Sequence, residues 1–187
     1  MFHPLITQNF ISNICLSTAV ATISSITLTC KNIFNLCNNS IDIAKKDSHI
    51  DLEYELKKLD LQIMTKIIQD MLEELDLNML NYNSIIFAIE SIKQIIKDIE
   101  FQLSKLNSYL NYNNSLWVLK NFRSYECTTI INTLKDYKII MIDRKNILVD
   151  LLKIKNDLRR DIMYPSLELS KINQATDPSF VVNCFDY

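Results

Sequence analysis

The sequence predicts an all-α fold of four long helices in an up-down bundle with coiled-coil-like packing. Apolar residues recur at alternating steps of three and four along most of the chain, which is the period of a helix face. The 187 residues include no glycine, which helix interiors do not need but tight hairpins and phosphate-binding loops do. We expect a bundle domain over residues 1–164, followed by a C-terminal tail, residues 165–187. Its helices are predicted over residues 10–46, 50–80, 84–111 and 115–163.

The first predicted helix has an apolar face and, opposite it, a hydroxyl-rich face that carries no charge before Lys31. Three explanations fit this pattern. The helix is central in the bundle, and its hydroxyls bond to carbonyls of their own helix. Alternatively, the segment from Phe10 to Cys30 is a transmembrane span of about 20 residues. The third explanation is a surface held against another subunit or a membrane interface. The apolar face comprises Leu16, Ala19, Ile23, Ile26, Cys30, Ile33, Cys37, Ser40 and Ala44.

The second predicted helix has a broad apolar stripe, of the kind that contacts two neighbouring helices in a bundle. The third has an unbroken three-four seam, as expected for a helix at the centre of the fold. That seam comprises Ile85, Ile89, Ile92, Ile96, Ile99, Leu103, Leu106 and Leu110. Asparagine-rich segments at residues 81–84 and 111–114 predict turns on both sides, because asparagine tolerates the left-handed backbone region.

The fourth predicted helix has its apolar seam from Cys127 to Ile162, which Ile140, Ile147 and Ile154 are expected to widen. Aspartates repeat every seven residues on a flanking line that we expect to face water: Asp136, Asp143, Asp150 and Asp157. Pro165 ends the helix, because its ring removes an N–H donor and clashes with the preceding turn.

Composition and motifs argue against enzymatic chemistry. A net charge of −2 gives no general attraction to nucleic acid. Phosphate-binding and serine-hydrolase motifs require glycine, and the two histidines form no metal-binding motif. We therefore predict no catalytic, cofactor-binding or metal-binding residues. The five cysteines include no CxxC pair. Reduced cysteines and the lack of a basic leader lead us to expect an intracellular, cytoplasmic protein.

Two aromatic clusters are predicted interface residues. The first combines Trp117, Phe122, Arg123 and Tyr125 at the start of the fourth helix, and such residues dominate interface hot spots. The alternative is that Trp117 plugs one end of the bundle core. The second cluster, with Phe180 and Phe185, lies in the tail. It either docks on the chain's own bundle or engages a partner.

Segments of the second half resemble uncharacterised helical proteins encoded by large, AT-rich DNA viruses of protists. The segments are Trp117 with Phe122-Arg123-Ser124, then Ile142-Asp143-Arg144, and Leu151-Leu152-Lys153-Ile154. The resemblance implies a viral or host-cytoplasmic setting and supplies no catalytic residues.

The sequence therefore predicts a non-enzymatic structural or protein-interaction bundle, either an adaptor or a virion component. Its expected partner is another protein or a second copy of the chain, and neither nucleic acid nor a cofactor is expected. Replacing both Trp117 and Arg123 should then abolish partner binding. The alternative function is a membrane-anchored or membrane-active bundle that uses the uncharged N-terminal helix.

Overall fold

The computed structural model describes residues 4–46, 50–115 and 124–163, and its regular elements are all helical. Side-chain surroundings are described for residues 17–46, 51–112 and 127–160. The helices are α1 (Pro4–Lys46), α2 (Ile50–Leu59), α3 (Leu61–Glu73), α4 (Asn83–Ser115) and α5 (Ser124–Met163), with a 3₁₀ helix at Leu77–Asn81. The predicted all-α bundle is confirmed.

Helices α1 and α4 run parallel and pack against each other along much of their length. The Thr22 hydroxyl donates to Glu90 at one end of the pair, and the Asn107 amide donates to the Leu36 carbonyl (2.9 Å) at the other. The residue numbers of contacting pairs therefore increase together along α1 and α4, as they do in parallel helices. The buried face of α1 contains small side chains such as Ala19, Cys37 and Ala44. Small side chains at the contact permit a short interaxial distance.

The predicted second helix over residues 50–80 is divided in the structure. Asp60 has φ 52°, in the left-handed region, and separates α2 from α3. Helix α3 ends at Glu73, and the chain then forms the 3₁₀ helix, which packs against α1 and α4. The Gln62 amide at the start of α3 donates to Asn38 Oδ1 (2.8 Å), whereas Glu73 at its end acts electrostatically on Cys30. Helix α3 is thus antiparallel to α1.

The predicted seam of the third helix is fully buried in α4, from Ile85 to Leu110. Helix α4 starts after Tyr82, close to the predicted turn at residues 81–84. The second predicted turn, at residues 111–114, is wrong, because α4 continues through these residues to Ser115. Asparagine weakens a helix only slightly and does not interrupt its hydrogen bonds.

Helix α5 returns antiparallel to α4. Helix α5 begins at Ser124, shortly after α4 ends at Ser115. Arg144 lies 20 residues into α5 and donates to the carbonyl of Ser91, in the first part of α4, so the chain has reversed its direction. A second polar contact joins Lys135 Nζ to Glu55 Oε2 in α2 (2.6 Å). Buried side chains of α5 include Ile130, Leu134, Met141 and Leu148, all apolar and at helical spacing. The helix directions therefore alternate as the sequence predicts.

The chain divides into two compact units, residues 1–151 and 152–187. All packing described above lies in the first unit. Of the second unit, the structure describes the helical residues 152–163, where the side chains of Ile154 and Leu158 are exposed. The predicted tail, residues 165–187, lies outside the described residues.

Candidate interaction surface

Three aromatic side chains project from the outer face of α4. Phe87 is 75% exposed, Phe101 is 66% exposed and Tyr112 is 54% exposed. At 100° per residue they lie within a sector of about 40°, and Phe87 and Phe101 are about 21 Å apart along the axis. This sector faces away from the buried seam of the same helix. We call Phe87, Phe101 and Tyr112 the aromatic face of α4.

Polar side chains occupy the positions between these aromatics. Gln94 lies midway between Phe87 and Phe101, and its amide donates to Asp98 Oδ1 (3.0 Å). The Ser108 hydroxyl donates to the carbonyl of Ser104 (2.9 Å) in its own helix. Exposed Lys105 also lies within this sector and Asp98 lies beside it, so the face combines large apolar rings with neutral and charged polar groups.

Other exposed apolar side chains occur in the described part of the first unit, such as Leu28 and Phe34 on α1, and two groups of isoleucines lie on α3 and α5. On α3, Ile63 is 58% exposed and Ile67 is 46% exposed. On α5, Ile140 and Ile147 are exposed, although the sequence predicts that they widen the buried seam. Both groups are aliphatic and smaller than the aromatic face of α4. Aromatic residues are the more effective interface anchors.

A groove of about 420 Å³ lies between α1 and α3. Cys30 and Phe34 contribute apolar surface to its lining, and the polar lining residues include Lys31, Asn35, Gln62, Lys66 and Gln69. Lys66 Nζ pairs with Asp70 Oδ1 at 2.6 Å, and this hydrogen bond raises the pKa of Lys66. A catalytic lysine needs a lowered pKa to supply a neutral amine. The hydrogen bond to Asp70 therefore favours the charged form of Lys66.

The thiols of Cys30 and Cys37 are buried in the α1 core face. Burial raises the pKa of each thiol to about 12, with a further contribution from Glu100 and Glu73 at Cys30. The thiolate is the reactive form of cysteine. Both side chains therefore serve as small apolar packing groups.

Two carboxylates at helix contacts have a lowered pKa. The Thr22 hydroxyl hydrogen bond lowers the pKa of Glu90, and Lys93 contributes further. The hydrogen bond from Lys135 lowers the pKa of Glu55. Each carboxylate is held ionised by a group on a neighbouring helix, so neither is prepared to act as a general acid. Their role is to join helices.

Most of the sequence-predicted interface residues lie outside the described residues: Trp117, Phe122, Arg123, Phe180 and Phe185. Tyr125 belongs to α5, but its side-chain surroundings are not described, and the same holds for Phe10 in α1. Cys30, the other end of the predicted membrane segment, is buried against the bundle. The structure therefore does not test the predicted cluster around Trp117.

The sequence predictions did not include the aromatic face of α4. Its residues fall on the opposite side of the helix from the seam that starts at Ile85. Phe87 and Phe101 are separated by two heptads, so a helical projection of residues 83–115 places them together outside the seam. Such a projection of the sequence could have identified the aromatic face.

Two hydroxyls on α1 bond to carbonyls of their own helix, as the first explanation of its uncharged face expects, whereas the Thr22 hydroxyl bonds to Glu90 of α4. Ser24 Oγ donates to the Val20 carbonyl and Thr29 Oγ1 to the Ser25 carbonyl, both at 3.0 Å. In the part of the chain that the structure describes, no helix has a stretch apolar and long enough for a bilayer crossing.

Among residues 4–46, 50–115 and 124–163, histidine, cysteine and acidic side chains form no group of three that could hold a metal ion. In comparisons with protein-family models, curated proteins and solved structures, nothing matches the chain.

Proposed function

We propose that the chain is a non-enzymatic protein-interaction bundle, an adaptor or a virion component, and that it binds its partner through the aromatic face of α4. The observation that carries this proposal is the exposure of Phe87, Phe101 and Tyr112 on one side of a helix whose other side is fully buried.

The energy available at this face is large. A phenylalanine buries about 200 Å² when it is fully covered. Covering the exposed parts of Phe87 and Phe101 would gain about 3 kcal/mol each at about 25 cal/mol per Å². Exposed apolar patches of this kind mark interaction sites on folded proteins. The bundle holds both rings on one rigid helix, which lowers the entropy cost of binding.

Several chemically versatile side chains in the described part of the first unit already have structural roles. Cys30 and Cys37 are buried thiols, Lys66 is paired with Asp70, and Glu90 joins α4 to α1. A catalytic site would instead bring such groups together in a pocket with mutually adjusted pKa values. The arrangement supports a binding role.

A matched pair of double variants tests the proposal. F87S/F101S removes two exposed rings from α4, and I63S/I67S removes two exposed aliphatic side chains from α3. Each chain would carry an affinity tag and be purified from its native cells, with co-purifying proteins identified by mass spectrometry. We expect the F87S/F101S chain to lose the partner that the unchanged chain and I63S/I67S both retain.

Circular dichroism and thermal unfolding of each variant would establish that the fold is intact, which we expect because all four side chains are exposed. Retention of the same partner by F87S/F101S would contradict the proposed surface. Absence of any specific partner on the unchanged chain, including an untagged second copy of the same chain, would contradict the interaction function itself.

A further inference from the structure

We infer that the aromatic face of α4 pairs with a second copy of this chain, antiparallel, about a two-fold axis at Phe101. This inference rests on the proposed function and names the partner. In such an arrangement the same surface is used by both copies, so that each contact occurs twice. Phe101 of one copy then packs against Phe101 of the other, at the centre of the interface.

The charges beside Phe101 are complementary under this symmetry. Asp98 lies three residues before Phe101 and Lys105 lies four residues after it. Viewed along the helix axis, Asp98 is about 60° and Lys105 about 40° from Phe101, and both are displaced to the same side of it. When two antiparallel helices are related by a two-fold axis at Phe101, the side of the helix that carries Asp98 and Lys105 in one copy faces the same side in the other copy. Asp98 of each copy is therefore opposite Lys105 of the other, with an offset of about 1.5 Å along the axis.

The two charges are available for this contact. Lys105 is exposed, and within the described part of the chain its ammonium group has no ion-pair partner. The Asp98 carboxylate accepts one hydrogen bond, from Gln94, and an ionised carboxylate can accept several. Lys97, also four residues from Phe101, lies on the opposite flank, so it is not brought against Lys105 of the second copy.

The residues one heptad from Phe101 on either side allow the two α4 helices to approach each other closely. Gln94 and Ser108 are each seven residues from Phe101, so the symmetry places Gln94 of one copy opposite Ser108 of the other. A short hydroxyl side chain there leaves room for the longer amide. Gln94 and Ser108 are both neutral, so this pair brings no like charges together.

Charge reversal tests the register in the full chain. D98K and K105D each place like charges opposite one another twice, whereas D98K/K105D restores both ion pairs with exchanged signs. Sedimentation equilibrium at low salt would measure the dimer dissociation constant. We expect each single variant to raise it roughly three- to tenfold and the double variant to restore it. Unequal effects without rescue by the double variant would overturn the register.

Cysteine cross-linking tests the orientation. Under mild oxidation, F101C should give a covalent dimer on non-reducing gels, because the two positions 101 meet at the axis. F87C should not exceed the background of the unchanged chain. Equal cross-linking at both positions would indicate a parallel pair, and absence of cross-linking at position 101 would exclude contact there. Either result overturns the inference.

The inference and the proposed function can fail separately. A chain that stays monomeric at every concentration, while F87S/F101S loses its cellular partner, overturns self-pairing and leaves the interaction surface in place. A dimer that persists unchanged in F87S/F101S overturns self-pairing through this face. If that variant also keeps all its cellular partners, the proposed function fails as well.

Discussion

Asp60 determines where the second predicted helix is interrupted. Its backbone is in the left-handed region, its N–H donates to the Lys57 carbonyl (3.1 Å), and its side chain makes no capping hydrogen bond. Glycine would normally occupy such a position, and the chain has none. Aspartate is among the few other residues that tolerate this backbone conformation. The stripe of apolar residues continues across Asp60, so periodicity predicts an uninterrupted helix.

Replacing Asp60 separates backbone strain from side-chain chemistry. Because alanine disfavours the left-handed region, we expect Asp60→Ala to lower the free energy of unfolding by about 1 kcal/mol. Asp60→Gly and Asp60→Asn should change it by less than about 0.5 kcal/mol. Urea denaturation would measure all three. As a control, Asp136→Ala, at an exposed position of α5, should have little effect on the free energy of unfolding. Equal stability of the alanine and glycine variants would contradict this explanation.

Within α4, Asn107 is a buried polar residue beside an apolar seam. Its Nδ2 donates to the Leu36 carbonyl, whereas its Oδ1 has no hydrogen-bond partner among the described residues. A buried amide of this kind specifies helix register at a cost in stability. The repeat of apolar residues predicts the seam but gives no indication that Asn107 is buried with it.

We expect Asn107→Leu to raise the free energy of unfolding by roughly 1 kcal/mol, because it removes an unsatisfied buried acceptor and keeps the same side-chain branching. Asn107→Ala should lower it by about 1–2 kcal/mol, because it leaves a cavity. Chemical denaturation of both variants measures the difference. A leucine variant less stable than the unchanged chain would mean that the amide hydrogen bond outweighs the unsatisfied oxygen.

Helix α5 shows a limit of periodicity at the element scale. Met141 and Leu148 are buried, but Ile140 and Ile147, one position before each, are exposed. Adjacent residues differ by 100° around the axis, so apolar residues at the edge of a stripe face the core only when a neighbour covers that edge. The number and positions of neighbours follow from the whole bundle, which a single helix projection does not contain.

Among the carboxylates that join helices distant in sequence, two have a lowered pKa: Glu90, which contacts Thr22, and Glu55, which contacts Lys135. Each has a pKa below the ordinary value of 4.5 in the folded chain. The stabilisation from each carboxylate is therefore complete above about pH 4.5 and is lost as the pH falls through the lower, folded-state pKa.

We expect the urea midpoint of the chain to decrease as the pH falls below about 4.5, because both carboxylates then take up protons. In E55Q/E90Q the decrease should be smaller, and the variant should be less stable than the unchanged chain at pH 7. Urea titrations at several pH values compare the two proteins. Identical pH dependence would show that other acidic groups govern the acid transition.

The alternating helix directions follow from long amphipathic segments joined by short connections, and the sequence predicts them. The outer faces are a different matter. Burial patterns constrain the side of a helix that faces the core, whereas exposed residues such as Phe87 and Phe101 are under no such geometric constraint. Their arrangement becomes visible only once the seam of α4 has been assigned to the interior.

The parallel pairing of α1 and α4 has a consequence for the order of folding. Its polar contacts join residues 68 and 71 positions apart, whereas those between α1 and α3 join residues 24 and 28 positions apart. Closing the longer loops costs about 0.9 kcal/mol more. We therefore expect α1 and α3 to associate first during synthesis. Until α4 leaves the ribosome, the α1 surface that receives it remains hydrated.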